Sequence, residues 1–463
     1  MTIWTPDLSG DGPRYRQIAR AIADAIDSGA LATGEKLPPQ RRLAHALGVT
    51  PGTVTRAYAE AEKAGRVVAR VGSGTYVAEP GTQDFTQIRV DRGTSDVIDL
   101  GLALPPPLAV RDSGFARALS AMPADATLCA TALDYQPPDG MARHRTVYAE
   151  WMTALGLPVA ADELIVNLGG MNGIFAALSA CLQHGERIAA ERLTYPGLIS
   201  VAAQLGLKTV PLAHDGDGLD VDALAARHAR QPFSALYVMP EHQNPTTTRL
   251  SEERRAALVD FARAHDVWLI EDTVQFLPEA ERGTPLYRLA PERTILLFSI
   301  SKMLGGGLRS GVMRVPPVLH ARVETVIRNV SWMPPPLIVG LVCRWITSGD
   351  ADAVLAAQWD ELAERRRMTH EALPGIDVAT RAGGFFAWIR LPPGQRAAAT
   401  ATRLAAQGVR VTAAESFCLG SEAAPQALRL CFSAAPDRAE LVRALAIVNQ
   451  TIASPPAGAW QTI

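Results

Sequence analysis

Between residues 164 and 298, apolar runs of strand length alternate with stretches of helical periodicity. This alternation predicts an α/β domain with a mostly parallel sheet, because parallel strands need crossover connections that are usually helices. Ligands of such sheets bind beyond the carboxyl ends of the strands, so functional side chains are expected there. The clearest predicted strands cover residues 164–167, 187–190, 235–239, 267–271 and 294–298.

Each predicted strand is followed at once by polar or glycine residues. Because the carboxyl ends of parallel strands share one edge of a sheet, these five groups are expected to converge on one site. In strand order, the groups hold Gly169, Gly170 and Met171; Tyr195; His242, Gln243 and Asn244; Asp272 and Gln275; and Ser299, Ser301, Lys302 and Arg309.

The chemistry of these groups suits pyridoxal 5'-phosphate (PLP). Lysine forms a stable imine with an aldehyde, and Lys302 lies in a loop rich in serine and glycine. A carboxylate such as Asp272 would keep the pyridine nitrogen protonated, which makes the ring an electron sink. The phosphate needs free backbone N–H groups at a helix start, which Gly169 and Gly170 would supply.

Other residues of the same groups could complete such a site. Ser299 and Arg309 offer a hydroxyl and a cation for the phosphate, Asn244 a donor to the ring oxygen, and Tyr195 a stacking surface. Taken singly, each feature is more often a turn, a helix entry or a cap. Their order, with one group at each strand end, favours a cofactor site.

The first eighty residues follow a different pattern. Apolar residues from Tyr15 to Ile26 recur at helical spacing, and a short helix is predicted before Gly48. Thr50 is a good N-cap, with Pro51 at the first position of a second short helix. Residues 67–71 and 75–77 are strand-like around a turn at 72–74. The pattern predicts a helix-turn-helix followed by a hairpin wing.

Local charge supports a nucleic-acid partner for this segment. The whole chain has a formal net charge of −2, so no global attraction to DNA is evident. Residues 36–76, in contrast, contain seven basic and two acidic residues. A local excess of positive charge on a helix-turn-helix is typical of phosphate binding.

From Arg14 to Val77, the segments YRQIARAIADAI, GEKLPPQRRLAHALGVTPGTVTRAY and GSGTYV resemble a GntR-type winged helix domain. The resemblance implies that the start of the second helix contacts double-stranded operator DNA and that the wing enters the minor groove. Pro51 and Thr55 depart from residues common in that family, so the bases that are read stay open. The implied DNA contacts are Arg41, Arg42, Thr50, Gly52, Thr53, Thr55, Arg56, Ser73 and Gly74.

From about residue 98 to the C-terminus, the chain resembles the fold-type I, class I/II aminotransferases. Behind a GntR-type domain, this is similar to the MocR branch of regulators. The resemblance implies Lys302 as the Schiff-base lysine, Asp272 as the pyridinium partner and Arg429 as the residue that holds a substrate or effector carboxylate. Tyr135 matches a tyrosine that reaches the phosphate of a partner subunit, which implies a homodimer. The remaining implied cofactor contacts are Gly169, Gly170, Met171, Tyr195, Asn244, Gln275, Ser299, Ser301 and Arg309.

One departure from that family bears on catalysis. Relatives carry a tyrosine two or three residues after the pyridinium aspartate, where this chain has Val274 and Gln275. Gln275 can serve as a neutral donor but not as a phenol. The departure argues more against efficient transamination than against cofactor binding.

The sequence thus predicts three parts. A winged helix-turn-helix covers residues 1–79, a polar linker covers 80–97, and a PLP-binding domain covers 98–463. The last divides into a sheet domain at about 98–330 and a smaller α+β subdomain at about 350–463. No signal peptide or membrane-spanning run is evident, the five cysteines are scattered, and no metal site is expected, which favours a cytoplasmic, nucleoid-associated protein.

Three functions stay open at this point. The first is a transcription regulator that senses PLP, an amine or an amino acid at Lys302. The second is a working aminotransferase with an accessory DNA-binding domain. The third is a DNA-binding protein whose large domain only dimerises.

Overall fold

The computed structural model describes residues 4–6, 8, 12–32, 34–63, 66–70, 74–77, 97–420 and 422–454. The predicted DNA contact Ser73, the wing turn at 72–73 and linker residues 80–96 lie outside the described residues. The boundaries of the three parts remain predictions.

The N-terminal domain is a three-helix unit with a two-stranded sheet. Leu43, Ala44 and Val54 are among the residues of its apolar core. Its elements are α1 (Arg14–Asp27), α2 (Gln40–Leu47), α3 (Pro51–Lys63), β1 (Val67–Arg70) and β2 (Gly74–Val77).

The turn between α2 and α3 forms as its sequence predicts. Gly48 ends α2 in the left-handed conformation with φ of 64°, which glycine adopts without strain. The Thr50 hydroxyl accepts a hydrogen bond from the Thr53 N–H at 3.3 Å, so Thr50 caps the helix that Pro51 begins. The antiparallel pair β1–β2 then forms the predicted wing hairpin.

The second domain alternates strands and helices. In chain order its elements are β3 (Ile98–Asp99), α4 (Ala109–Ala121), α5 (Ala126–Thr131), α6 (Ala142–Ala154), β4 (Leu164–Asn167), α7 (Gly170–Cys181), β5 (Arg187–Glu191), α8 (Pro196–Gln204), β6 (Lys208–Leu212), β7 (His214–Asp215), β8 (Gly218–Leu219), α9 (Leu224–Arg230), β9 (Ala235–Val238), α10 (Glu252–Ala264), β10 (Trp268–Asp272), α11 (Leu286–Leu289), β11 (Thr294–Ser299), β12 (Gly311–Arg314), α12 (His320–Ser331), α13 (Pro336–Thr347), α14 (Asp350–Ala372), β13 (Asp377–Ala379), β14 (Ala387–Arg390), α15 (Ala397–Ala406), β15 (Val409–Arg410), β16 (Thr412–Ala413), β17 (Ala427–Leu430) and α16 (Arg438–Ala453).

The main sheet has seven strands in the order β4-β12-β11-β10-β9-β5-β6. Strand β12 runs antiparallel to both of its neighbours, and the other six strands point the same way. The prediction of a mostly parallel sheet is therefore confirmed. Apolar cores lie on both faces of the sheet, as expected when helices cover both sides.

A second, antiparallel sheet of four strands, β13-β14-β17-β16, lies in the C-terminal part of the chain. Helices α14, α15 and α16 supply apolar residues to its core. Strand β3 pairs in parallel with β15, so the first strand of the second domain belongs by pairing to the C-terminal unit.

Within the described residues, no single helix is long and apolar enough to cross a membrane. The pair Pro317–Ser331 and Pro336–Thr347 meets the length and composition test only when joined across a 117° bend.

Candidate cofactor pocket and DNA-binding surface

A cavity of about 320 Å³ opens at the carboxyl edge of the main sheet. Its wall comes from the loops after β4, β5, β9, β10 and β11, together with residues that follow β3 and one residue of β17. The lining residues are Leu102, Ala103, Leu104, Pro105, Gly170, Met171, Ile174, Tyr195, Pro196, Met239, His242, Asn244, Asp272, Val274, Gln275, Ser301, Lys302, Gly306, Arg309 and Arg429.

Lys302 is presented by the short turn that follows β11. Its Nζ donates a hydrogen bond to the backbone carbonyl of Ala103. Burial, aided by the positive charge of Arg429, lowers the pKa of the Lys302 ammonium from 10.5 to about 8, although Asp272 opposes this. A lysine with such a pKa has a useful fraction of neutral, nucleophilic amine near neutral pH.

Asp272 ends β10 and is held by two donors. The Tyr237 phenol donates to Oδ2 at 2.5 Å, and the Val274 N–H donates to Oδ1 at 2.8 Å. Burial raises the pKa of the Asp272 carboxyl above its ordinary value, while the hydrogen bond from Tyr237 lowers it. Both carboxylate oxygens are thus held in place at the cavity wall.

The start of α7 forms a recess that only glycine allows. Gly169 has φ of +89°, and a Cβ there would lie 3.3 Å from Arg309 Nη2 and 3.4 Å from Ser301 Oγ. The Gly169 N–H donates to Asn167 Oδ1 at 2.8 Å, so the prediction that it is free for the phosphate is wrong. No side chain caps the first turn of α7, which leaves the N–H groups of that turn, from Gly170 on, without a partner among the described residues. Backbone N–H groups, a hydroxyl and a guanidinium around one recess are the donor set that a phosphate needs.

Arg309 is fixed beside this recess. Its Nη2 donates to the carbonyl of Leu168 at 2.7 Å, and its backbone lies in the left-handed region with φ of 44°. A non-glycine residue in that region is strained, and such strain is common at functional sites.

Ser299 does not reach the cavity. Its side chain is buried, and its hydroxyl donates to the Ser301 hydroxyl at 3.0 Å and accepts from the Ser301 N–H at 3.2 Å. It therefore positions Ser301, which does line the cavity. The predicted contact of Ser299 with a phosphate stays a prediction, and the structure shows its hydroxyl bonded to Ser301.

Arg429 enters from β17 on the opposite side. Its Nη1 donates to Asn244 Oδ1 at 2.9 Å, and its Nη2 donates to the carbonyl of Gly101 at 2.5 Å. The guanidinium also lies 4.7 Å from the ring centroid of Phe417. These contacts place a fixed positive charge at the cavity wall.

The remaining polar wall is neutral at neutral pH. The Tyr195 hydroxyl donates to Met171 Sδ at 3.4 Å, and burial raises the pKa of this phenol to about 12. Gln275 Oε1 is buried and accepts no hydrogen bond within the described residues. An unpaired buried acceptor is unfavourable unless a ligand donates to it.

Most of the site residues predicted from the sequence meet at this cavity. Gly169 and Ser299 do not line it; Gly169 lies beside Arg309 and Ser301, and the Ser299 hydroxyl contacts Ser301. Tyr135 does not line the cavity of its own chain; it is 80% exposed and its ring lies 5.4 Å from that of Trp332. The predicted residues in the wall are Gly170, Met171, Tyr195, Asn244, Asp272, Gln275, Ser301, Lys302, Arg309 and Arg429.

Sequence reasoning missed several parts of the site. Residues 102–105 form one wall although they lie far from the sheet strands in sequence. His242 was noted only as part of a polar group, and its ring stacks on Phe386 at 4.5 Å. Tyr237 was missed too, although a phenol inside the apolar strand β9 is a usable signal for a buried polar partner.

The predicted DNA surface is largely exposed. Arg41, Arg42, Thr50, Gly52 and Gly74 are exposed, and Thr53 is half-buried. Neither Arg41 nor Arg42 makes a hydrogen bond or ion pair inside the described part of the chain. Both guanidinium groups are therefore available to phosphates.

Thr55 and Arg56 are engaged within the N-terminal domain. The Thr55 hydroxyl donates to Gln40 Oε1 at 2.7 Å, which joins α3 to α2. The Arg56 guanidinium lies 3.9 Å from the ring centroid of Tyr15, and its Nη2 donates to the Tyr15 hydroxyl at 3.2 Å. Both side chains thus contribute to packing between helices, and their DNA contacts stay predictions.

The family description "Aminotransferase class I and II" matches residues 96–448. The chain belongs to this family. Residues 14–77 match "Bacterial regulatory proteins, gntR family". The chain therefore has the MocR-type architecture, a GntR domain followed by a class I/II aminotransferase domain, and this prediction is confirmed.

Two relatives share this arrangement over most of their length. The uncharacterized HTH-type transcriptional regulator YdeF of Bacillus subtilis is 27% identical over 97% of this chain and 96% of its own. The HTH-type pyridoxine biosynthesis transcriptional regulator PdxR of Corynebacterium glutamicum is 28% identical over 88% of this chain and 89% of its own.

The second domain also resembles solved structures. An archaeal alanine:glyoxylate aminotransferase superposes with a TM-score of 0.71 at 22% identity, covering 78% of this chain and 91% of that one. At this level of identity the similarity establishes the fold alone, and it confirms the predicted fold-type I architecture.

Proposed function

We propose that this chain is a PLP-dependent transcription regulator that binds double-stranded DNA through its N-terminal domain and an amine-bearing effector, or PLP itself, at Lys302. The observation that carries the proposal is the meeting of Lys302, Asp272 and Arg429 at one cavity in a chain that begins with a helix-turn-helix. A regulator that binds DNA would work in the cytoplasm, at the nucleoid.

The donor set of the cavity fits PLP. Lys302 would hold it covalently through Nζ, and Asp272 would face the pyridine nitrogen. The glycine recess at the start of α7, with Ser301 and Arg309, would hold the phosphate, since a side chain at position 169 would fill that recess. Tyr195 and Asn244 would contact the ring, and the unpaired Gln275 Oε1 would accept from a ring hydroxyl.

When bound, PLP supplies an aldehyde that captures primary amines and a ring that withdraws electrons from them. Arg429 would select amines that carry a carboxylate, because a buried guanidinium held by Asn244 is ready to accept an anion. The effector class that follows is an amino acid or a similar amino carboxylate, with PLP alone as the simplest case.

A homodimer would complete the site. Tyr135 is exposed, and so are Leu133 and Trp332 near it. An exposed apolar group of this kind supports a subunit contact. In the dimer, Tyr135 would reach the phosphate held by the partner subunit.

The visible spectrum of the purified protein, titrated with PLP, tests the cofactor part. We expect an absorbance above 400 nm only in protein that carries Lys302, and its loss in Lys302→Ala. Operator duplexes enriched from a random pool on the full-length protein then test the regulator part. An operator affinity that is equal with and without PLP and with every amine in a panel would contradict the proposal.

A working aminotransferase is the second candidate. It is favoured by the same observation, because Lys302 with a lowered pKa and Arg429 share one cavity. It is disfavoured by Val274 and Gln275, which replace the phenol of the enzymes. Steady turnover of an amino acid and a keto acid over many cycles would favour the enzyme, whereas a single turnover or none would favour the regulator.

A further inference from the structure

One buried side chain, that of Gln243, joins the loop after β5 to the loop after β9. Its Nε2 donates to the Leu193 carbonyl of the loop after β5 at 2.5 Å. Within its own loop, its Oε1 accepts from the N–H and the hydroxyl of Thr246, at 2.8 Å and 2.6 Å. Only 2% of Gln243 is exposed. An amide suits this place because one flat group supplies both a donor and an acceptor.

The two joined loops carry both proposed contacts of the PLP ring. Gln243 directly precedes Asn244 in the sequence, and Leu193 lies two residues before Tyr195. Asn244 and Tyr195 line the cavity, whereas Gln243 and Leu193 do not. Gln243 is therefore not placed to touch a ligand, but it bonds together the backbones that present the two ring contacts.

The backbone of Gln243 also closes the loop after β9. Its N–H donates to the Thr248 carbonyl at 3.0 Å, and its carbonyl accepts from the Thr247 N–H at 2.8 Å. Asn244 thus lies inside a short closed loop that starts at Gln243. A shift of Gln243 would move this loop, and the Asn244 side chain with it.

The loop after β5 is held differently. The Thr194 N–H donates to the Phe417 carbonyl at 2.9 Å, and Leu193 belongs to the same apolar cluster as Phe417. These contacts fix the loop to the C-terminal part of the chain, not to the loop after β9. Among the described side chains, only Gln243 forms a hydrogen bond with the backbone of residues 193–195.

Asn244 and Tyr195 would meet one flat ring at two different places. Asn244 would donate to the ring oxygen at the edge, and Tyr195 would stack on the face. Because the ring is rigid, a change in the separation of the two loops would weaken one contact or the other. The separation of the loops therefore matters for affinity even though no loop backbone touches the ring.

We propose that Gln243 is a positioning residue for the PLP ring, which holds Asn244 and Tyr195 at a fixed separation by bonding across their two loops. This inference rests on the proposed function, because it takes Asn244 and Tyr195 as ring contacts. It assigns a role to a glutamine that reaches neither the cofactor nor the effector.

Double-mutant cycles on PLP affinity distinguish positioning from general stability. Gln243→Met keeps the length of the side chain and removes its hydrogen bonds. It is combined in turn with Asn244→Ala, with Tyr195→Leu and with Ser301→Ala, since Ser301 lines the cavity from a third loop. Fluorescence titration of the full-length protein with PLP gives each Kd. The effects of residues that depend on Gln243 are non-additive with Gln243→Met, whereas independent effects add.

We expect Gln243→Met alone to weaken PLP binding at least about fivefold, since both loops lose their shared bond. In the Gln243→Met protein, the factors lost through Asn244→Ala and through Tyr195→Leu should each be at least about threefold smaller than in wild type. The factor lost through Ser301→Ala should agree within about 1.5-fold in the two backgrounds. A loss that comes only from reduced stability would leave all three factors unchanged.

Gln395→Met is a matched control. Gln395 is also buried, and its Nε2 donates to the Ile452 carbonyl at 2.5 Å, so the same substitution removes the same kind of bond away from the cavity. Its PLP affinity should stay within about twofold of wild type. Thr246→Val is a milder second variant, which removes only the hydroxyl bonded to Gln243, and it should show the same pattern at a smaller size.

Hydrogen–deuterium exchange of protein without PLP tests the joint itself. Gln243→Met should make the amides of residues 193–198 exchange at least about threefold faster, because a looser loop opens more often. Leu193 lies 50 residues from Gln243 in the sequence, so this effect can reach it only through the fold. Gln395→Met should leave the exchange of these amides unchanged.

The failures are distinguishable. If wild-type protein does not bind PLP, the proposed function fails and this inference fails with it. If wild-type protein binds PLP, but Gln243→Met is additive with Tyr195→Leu or leaves exchange at residues 193–198 unchanged, Gln243 does not position the ring contacts, and the proposed function stands.

Discussion

The phenol of Tyr237 donates a hydrogen bond of 2.5 Å to Oδ2 of Asp272. Burial raises the pKa of the Asp272 carboxyl, and this hydrogen bond lowers it, so the bond helps to keep Asp272 ionised. An ionised Asp272 is what a protonated pyridine nitrogen needs as its partner. Tyr237 therefore acts on the proposed cofactor through Asp272, as a positioning residue.

Tyr237→Phe is expected to weaken PLP binding about tenfold or more, since a hydrogen bond to a charged group contributes about 1.5–3 kcal/mol. Fluorescence titration with PLP at pH 7 and pH 9 measures the effect. The loss should be smaller at pH 9, because the Asp272 carboxyl, whose pKa rises in the variant, ionises again as pH increases. An equal loss at both pH values would indicate a packing defect instead. Tyr287→Phe, which removes a buried phenol of α11 that donates to the Pro158 carbonyl, is the control.

The pH dependence of PLP capture follows from Lys302. Its pKa is lowered from 10.5 to about 8, and only the neutral amine attacks an aldehyde. The rate of capture should therefore rise about tenfold between pH 7 and pH 9 and then level off, as expected for a group that titrates near 8. Stopped-flow absorbance measures this rate. A rate that still rises steeply above pH 10 would show an ordinary lysine.

Much of the site could be predicted because its residues follow strand ends directly. Asn244 and Lys302 follow β9 and β11, and Asp272 ends β10 between them. The geometry of a parallel sheet brings the carboxyl ends of such neighbouring strands together. The part of the wall formed by residues 102–105 could not be predicted, because these residues follow β3, which pairs with β15 more than three hundred residues later in the chain. Nothing local in a sequence encodes such a contact.

The N-terminal domain shows the opposite limit. The helix-turn-helix was predictable from Gly48, Thr50 and Pro51, whose backbone preferences are local. The role of Arg56 was not, because its position over Tyr15 depends on how α3 packs against α1. A basic residue on a recognition helix can serve DNA or the fold, and only the packing separates the two.

Arg41 and Arg56 should accordingly respond differently to alanine substitution. Arg41→Ala is expected to weaken operator binding and to reduce the slope of log Kd against log salt by about one. Its Tm should not change, because the Arg41 side chain is exposed and makes no hydrogen bond or ion pair with another described residue. Arg56→Ala is expected to lower the Tm of the N-terminal domain, since it removes the contact with Tyr15. Calorimetry and anisotropy at several salt concentrations separate the effects. Equal Tm values for both variants would contradict this division.

Arg429→Gln is expected to separate effector binding from cofactor binding. Glutamine keeps a donor for Asn244 or Gly101 but loses the charge that holds a carboxylate. PLP affinity should change by less than about threefold, while the amino acid concentration that alters the PLP spectrum should rise at least about tenfold. Methylamine, which has no carboxylate, should act equally on both proteins. Arg390→Gln, on the exposed end of the neighbouring strand β14, is the control.

The proposed reach of Tyr135 into the partner's site can be tested with hybrid dimers. In the first hybrid, one chain carries both Lys302→Ala and Tyr135→Ala, and the other chain is wild type. The only Lys302 of this hybrid is in the wild-type chain, whose partner lacks Tyr135. The reference hybrid carries Lys302→Ala alone in that chain. We expect the first hybrid to bind PLP at least about fivefold more weakly than the reference, because a phosphate contact is lost across the interface. Tagged chains purified by two affinity steps give both hybrids, and fluorescence titration measures each Kd. Equal affinities would show that Tyr135 does not contact the partner's site. If PLP binding weakens only when Tyr135→Ala is in the chain that keeps Lys302, Tyr135 acts within its own subunit.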